Sequence, residues 1–159
     1  PPRSTLFPYT TLFRSDLNFE FAFGQHSGVI DITKDFLELP RFPINEKYGK
    51  LKRFKSILQT LPFPYESIKP ENRYLKKNDN PPEVKIKFFD NLINVKNINC
   101  YSNEGNIWKK SDIRFIKKNE LIILLKEKFK SERGRINCSL WEEGGKWRWL
   151  GIQYVVAEY

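Results

Sequence analysis

Histidine is almost absent from this chain: His26 is the single example in 159 residues, beside two cysteines, Cys100 and Cys138. A tetrahedral zinc site takes four ligands from Cys, His and carboxylates, and the sequence has no CxxC or HxxH pair. A metal or cofactor site built from these residues alone is therefore not expected. Long apolar runs are missing too. No stretch of about 18 uncharged apolar residues occurs, so no membrane span is expected. Nor is there a basic start, apolar core and small-residue cleavage site of the signal-peptide kind. Acidic residues are the scarcer charge, with 19 Asp+Glu against 28 Lys+Arg and a formal charge of +9. A basic excess raises the possibility of nucleic acid, because each neutralised phosphate releases counterions. The lysines, however, are dispersed in pairs (Lys76-Lys77, Lys109-Lys110, Lys117-Lys118) with acids between them. That is the pattern of a solvated surface, so no nucleic-acid partner is expected.

What is present is enough for a core, since 40% of residues are hydrophobic and 15% aromatic. One ordinary domain or two small ones fit the length. From Asp16, large apolar residues alternate at Phe19, Phe21 and Phe23 and stop at Gly24, which predicts a strand. Residues 25–28 read as a glycine-flanked turn, and residues 29–33 as a second β-branched run. Pro40 and Pro43 force residues 37–44 into extended backbone. The period then changes. Asn45 is placed to cap a helix carrying Tyr48, Leu51, Phe54, Ile57, Leu58 and Leu61 on one face, ended by Pro62 and Pro64. Two strands and one helix cannot bury their apolar faces alone, so residues 16–69 read as the tail of an incomplete α/β barrel. Residues 70–82, polar and proline-rich without a period, read as a linker.

Residues 83–159 read as all-β. Val84, Ile86 and Phe88 alternate with lysines, residues 93–100 form a second run, and residues 113–116 and 121–125 flank a hairpin turn. Residues 135–142 and 147–156 flank Gly144-Gly145, a two-residue hairpin signal. Some six short strands predict a small immunoglobulin-like β-sandwich, making the chain α+β as a whole. With Gly144-Gly145 as the loop, Trp141 faces Arg148 and Leu140 faces Trp149. Trp149 then joins Ile136, Cys138 and Leu140 inside, while Trp141 lies outside against Arg148 as a cation–π pair. This register leaves Leu150, Ile152 and Tyr154 on the outer face, where only a covering partner would explain them.

Two segments resemble a known family. FAFGQHSGVID, followed by LELPRFPINEKYGKLKRFKSIL, is similar to the end of the catalytic domain in bacterial polysaccharide deacetylases of the NodB-homology type, carbohydrate esterase family 4. INCYSNEGNIW, with GRINCSLWEEGGKWRWLGIQYVV, is similar to the β-rich extension that follows this domain in one subgroup. Together they cover most of residues 16–159. The string TLFPYTTLFRS, residues 5–15, is instead similar to the conceptual translation of a sequencing-library adapter, so residues 1–15 are expected to be non-native. In the family a divalent metal held by one aspartate and two histidines polarises the acetamide and activates water, beside a second aspartate acting as base. The motifs that supply those groups are absent here. The resemblance therefore implies a non-catalytic C-terminal portion, without metal or other cofactor of its own, whose partner is the missing N-terminal deacetylase barrel. The parent would be periplasmic or secreted, as is usual for the family.

The resemblance also orders the candidate residues. Arg41, in the LPR segment, is the residue implied to lie near the parent's site, with a structural ion pair as the alternative. His26, in a glycine turn, is expected to be solvated and not catalytic. Trp141, Trp108 and Tyr101 are the aromatics available should the β-domain bind polysaccharide instead of only packing on the barrel. Cys100 and Cys138 are open to two readings, buried free thiols or a disulfide. Export of the parent implies the disulfide, closing a loop of about forty residues for roughly 3–4 kcal/mol in the chain-entropy model.

Overall fold

The structure is a computed structural model and describes residues 14–89 and 94–157. The adapter-like string therefore lies outside the described residues as far as position 13, and so does the start of the apolar run at 93. Among the described residues, ten strands make two sheets. In chain order they are β1 (Leu61–Pro62), β2 (Tyr65–Lys69), β3 (Tyr74–Leu75), β4 (Val84–Phe88), β5 (Asn99–Ser102), β6 (Lys109–Lys110), β7 (Asp112–Lys117), β8 (Glu120–Leu124), β9 (Arg133–Trp141) and β10 (Trp147–Val156). The larger sheet runs β1-β10-β9-β5-β6, with β3 also on β10; the smaller runs β2-β4-β8-β7. The chain is thus mostly β; α1 (Leu51–Leu58) is an α-helix described over its whole length, and residues 14–16 are also helical.

The alternation that predicts the strands also builds the core. Val84, Ile86 and Phe88 of β4 and Leu121 and Ile123 of β8 point inward from the small sheet. Ile136, Cys138 and Leu140 of β9 and Ile152 and Tyr154 of β10 point inward from the large one, and all belong to one hydrophobic cluster. At about 25 cal/mol per Å² of apolar surface, each such side chain contributes roughly 1.5–3 kcal/mol. Cys100 and Cys138 face each other across β5 and β9 and are joined as a disulfide, with Cα atoms 4.0 Å apart. They lie on neighbouring strands of one sheet, not across the two sheets.

The β9–β10 hairpin is shifted by one residue from the expected register. Trp141 pairs with Trp147 and Leu140 with Arg148. The loop is longer than Gly144-Gly145: the Gly145 N–H donates to Glu142 O and the Glu142 N–H to Lys146 O, with both glycines at positive φ. One residue of slip turns every side chain of the strand over. Leu150, Ile152 and Tyr154 therefore face the core beside Ile136, Cys138 and Leu140, and need no outside cover. Trp149 goes to the outer face. Trp141 meets Trp147 edge-on at 4.9 Å instead of Arg148, which donates to Glu142 and to Pro62 O.

Residues 70–82 are not a spacer. Leu75 is 2% exposed and β3 pairs parallel with β10. The buried Asn80 side chain donates to Phe129 O and accepts from Phe129 N, both at 2.9 Å, standing in for a strand neighbour. Likewise β1 and β2, on the barrel side of the expected boundary, pair with β10 and β4. The polar composition of 70–82 reflects turns fitted between short strands.

The two strands expected before residue 34 form no ladder among the described residues. Only isolated bridges occur, Phe23 to Leu39 and Gly28 to Leu150. The helix starts late, with Lys50 as its N-cap, because Asn45 closes its own turn by accepting the Tyr48 N–H on both its side-chain and main-chain oxygens. None of its eight residues is buried, and Leu51 and Leu58 are 66% and 68% exposed. No described helix is long and apolar enough to cross a membrane.

Candidate functional site

Two short strands flank one edge of β10 and leave a gap between them. β1 pairs with Arg148 and Trp149, and β3 with Val155 and Val156. Between these points the edge of β10 meets the irregular 24–40 segment, which crosses it at the Gly28–Leu150 bridge. Gly151 permits the crossing: a Cβ there would lie 2.1 Å from Ser27 O. The Ser27 hydroxyl completes the attachment, accepting from the Trp149 indole N–H at 2.9 Å and donating to Asn137 Oδ1 at 2.8 Å. Gln25 accepts from Arg133, and Phe42 packs edge-on against the Trp149 ring at 5.8 Å.

The gap encloses a pocket of about 140 Å³. Its polar wall includes His26, Glu38, Tyr65, Arg73 and Gln153; Trp149, Phe63 and Ile68 supply apolar surface. Arg73 is the electrostatic centre. Its guanidinium donates to Pro70 O and to the Tyr154 hydroxyl, and lies over the Tyr154 ring. His26 is driven down from 6.5 to about 4, first by burial and then by the Arg73 charge, so the imidazole is neutral at physiological pH. Glu38 is raised by burial at the rim, against the opposing pull of Arg73; its remaining contact with water tempers that rise. Burial also raises the Tyr65 and Tyr154 hydroxyls. Lys34 is committed, donating to Tyr65 O at 2.7 Å with its ammonium 4.0 Å from the Tyr65 ring centre. Gln153 Oε1 is buried and receives no hydrogen bond among the described residues, and the buried Nε–H of Arg135, its cross-strand neighbour, donates none. Among the described residues, no group of three His, Cys, Asp or Glu side chains gathers as a metal site.

The sequence reading and this geometry diverge at His26. The glycine turn folds down onto β10 instead of out into water, which places the imidazole in the pocket wall. Arg41 is not brought there: its residue is exposed, and its main-chain N–H donates to His26 O at 3.1 Å. Trp141, Trp108 and Tyr101 are 51%, 47% and 43% exposed, and no ring contact joins them among the described residues. Tyr101 sits opposite Asn137, four residues along β9 from Trp141, a separation of roughly 13 Å. Arg73 and Gln153 carried no motif that would single them out. Only the unpaired middle of the β10 edge makes them neighbours. Comparison of the chain with protein-family models, with curated proteins and with solved structures gave no match.

Proposed function

We propose that this chain is a non-catalytic C-terminal portion of a polysaccharide deacetylase, docked through residues 17–58 on a barrel domain that carries the metal and the chemistry. One observation carries this reading. Of the twenty large hydrophobic side chains exposed among the described residues, twelve fall between Leu17 and Leu58. They include Phe19, Phe21 and Phe23, and the helix residues Leu51, Phe54 and Leu58. Exposed apolar side chains concentrated in one stretch of chain, itself held down by polar contacts, are what a surface made for another surface leaves free. The segment that bears them is the one resembling the end of the NodB-type domain. The barrel-tail part of the fold expectation belongs to this reading, as does the immunoglobulin-like view of the two sheets.

The test has two arms. The chain alone, incubated with acetylated glucosamine oligomers and Zn²⁺, Co²⁺ or Ni²⁺, should release no acetate, and measurable turnover would overturn the reading. Added to a NodB-type barrel lacking its own extension, the chain should co-sediment with it and raise its acetate release. Leu51→Lys/Leu58→Lys, on exposed positions, should lose both effects without unfolding. Absence of any complex counts against docking.

A second reading is carbohydrate binding by the β-domain. Its support is the exposed edge-on pair Trp141 and Trp147, a ring platform at the hairpin end. Binding of chitin oligomers that vanishes in Trp141→Ala would favour it.

A further inference from the structure

We propose that the gap in the β10 edge is a binding pocket for a small uncharged ligand bearing hydroxyl or amide donors, about the size of one six-membered ring. This goes beyond the docking reading and stands without it, because every group involved lies within the described fold.

Size comes first. An apolar cavity of about 150 Å³ accepts benzene, and this pocket offers about 140 Å³. The wall then sets the chemistry. Gln153 Oε1 is a buried acceptor without a donor among the described residues, and burying such an atom unpaired is costly. An O–H or N–H on a ligand would satisfy it. The charges argue against an ionic guest. Lys34 and Arg73 stand among Asp31, Asp35 and Glu38, while His26 is uncharged at neutral pH. A free anion would meet the carboxylates and a free cation would meet Arg73, so either loses on one wall what it gains on the other. A neutral molecule with both donors and acceptors meets no like charge. It can donate a hydrogen bond to Gln153 and accept from Arg73, whose hydrogen bonds among the described residues use one terminal nitrogen. The rings of Trp149 and Tyr65 supply the flat apolar surface that a six-membered ring covers.

The test uses the full chain and ligand titrations followed by NMR. Two reporters lie in the wall, the resonances of the single histidine and of the Trp149 indole N–H. The neutral probes are myo-inositol, glucose and nicotinamide; acetate, phosphate and propylamine are the charged ones. At least one neutral probe should shift both reporters saturably, and no charged probe should bind as tightly. Gln153→Leu should weaken that binding at least tenfold. Trp141→Ala, on the hairpin end, should leave it unchanged. The proposal is overturned if no neutral probe moves the reporters, or if a charged probe does so more tightly. Should Gln153→Leu fail to fold, the order of neutral over charged probes in the wild-type chain still decides.

Discussion

Glu104 is the most informative residue to remove. It is 1% exposed, on a short turn between β5 and β6, and no ion pair reaches its carboxylate among the described residues. Three donors hold it instead. The Ser102 hydroxyl donates to Oε1 at 2.5 Å, and the main-chain N–H groups of Lys126 and Glu127 donate to Oε2 at 2.8 and 2.7 Å. The carboxylate thus ties the 126–127 strand connection to the edge of the large sheet. Glu104→Ala leaves the two N–H groups without an acceptor, at about 1–3 kcal/mol each when buried, while the Ser102 hydroxyl keeps Ser111 Oγ at 3.0 Å. Two effects reduce the total: the charge no longer has to be kept out of water, and water can enter beside the partly buried connection. The expected net loss is about 2–4 kcal/mol. Glu104→Gln keeps the volume and one acceptor but turns an NH₂ toward a donor, so about 1–2 kcal/mol should go. Urea unfolding at fixed pH, with the slope checked for constancy, measures both. An alanine variant within 0.5 kcal/mol of wild type, or more stable than the glutamine variant, would refute the clasp.

Three further outcomes follow from the same structure. The Cys100–Cys138 bond spans 38 residues, so its reduction should cost roughly 4 kcal/mol in the chain-entropy model; denaturation with and without reductant checks this, and equal midpoints would deny the bond. His26 titrates at 6.5 unfolded and about 4 folded, so between those values the unfolded chain binds the proton first and stability falls as pH falls, levelling below 4. The full difference is worth at most about 3 kcal/mol, less because the ring is only half-buried; His26→Asn should flatten that part of the profile, and the NMR titration of the one imidazole should turn near pH 4. Gly151→Ala should cost about 1–3 kcal/mol by forcing Ser27 off β10, with a change in Trp149 fluorescence that a remote Ala substitution would not cause.

Much of the β architecture was legible where one face is dry and the other wet. The alternation in 84–88 matches β4, where burial alternates residue by residue, while the two runs flanking 117–120 match β7 and β8 through the polar turn between them, their own burial showing no period of two. The β9–β10 register was not legible from the double glycine alone. A turn plus one extra residue and a two-residue loop share that signature, and only the inward pull of Leu150, Ile152 and Tyr154 separates them. Those three residues were visible as an apolar set without a partner, and that mismatch marked the slip. The 70–82 segment misled for a different reason. Strands of two residues carry no period, and Asn80 acts through a side-chain amide that composition reads as loop. His26 was missed because neither its partners nor its burial are local in sequence: Arg73 lies 47 positions away, and the floor of the pocket is β10.

The same edge of β10 explains both the pocket and the exposed apolar surface. A strand edge must hydrogen-bond something, and here β1 and β3 occupy only its two ends. The 24–40 segment covers the middle through single attachments: a bridge at Gly28, the Ser27 hydroxyl, and the Gln25–Arg133 contact. Because polar and main-chain groups make that attachment, large side chains on the segment and just before it are left free. Phe19, Phe21, Phe23, Ile30 and Ile32 remain exposed on residues whose neighbours are fixed. Had they collapsed onto β10, they would have filled the gap and displaced His26 and Arg73 from it. An irregular strap held by a few directed bonds therefore keeps the cavity open on its inner side. On its outer side it keeps an apolar face available.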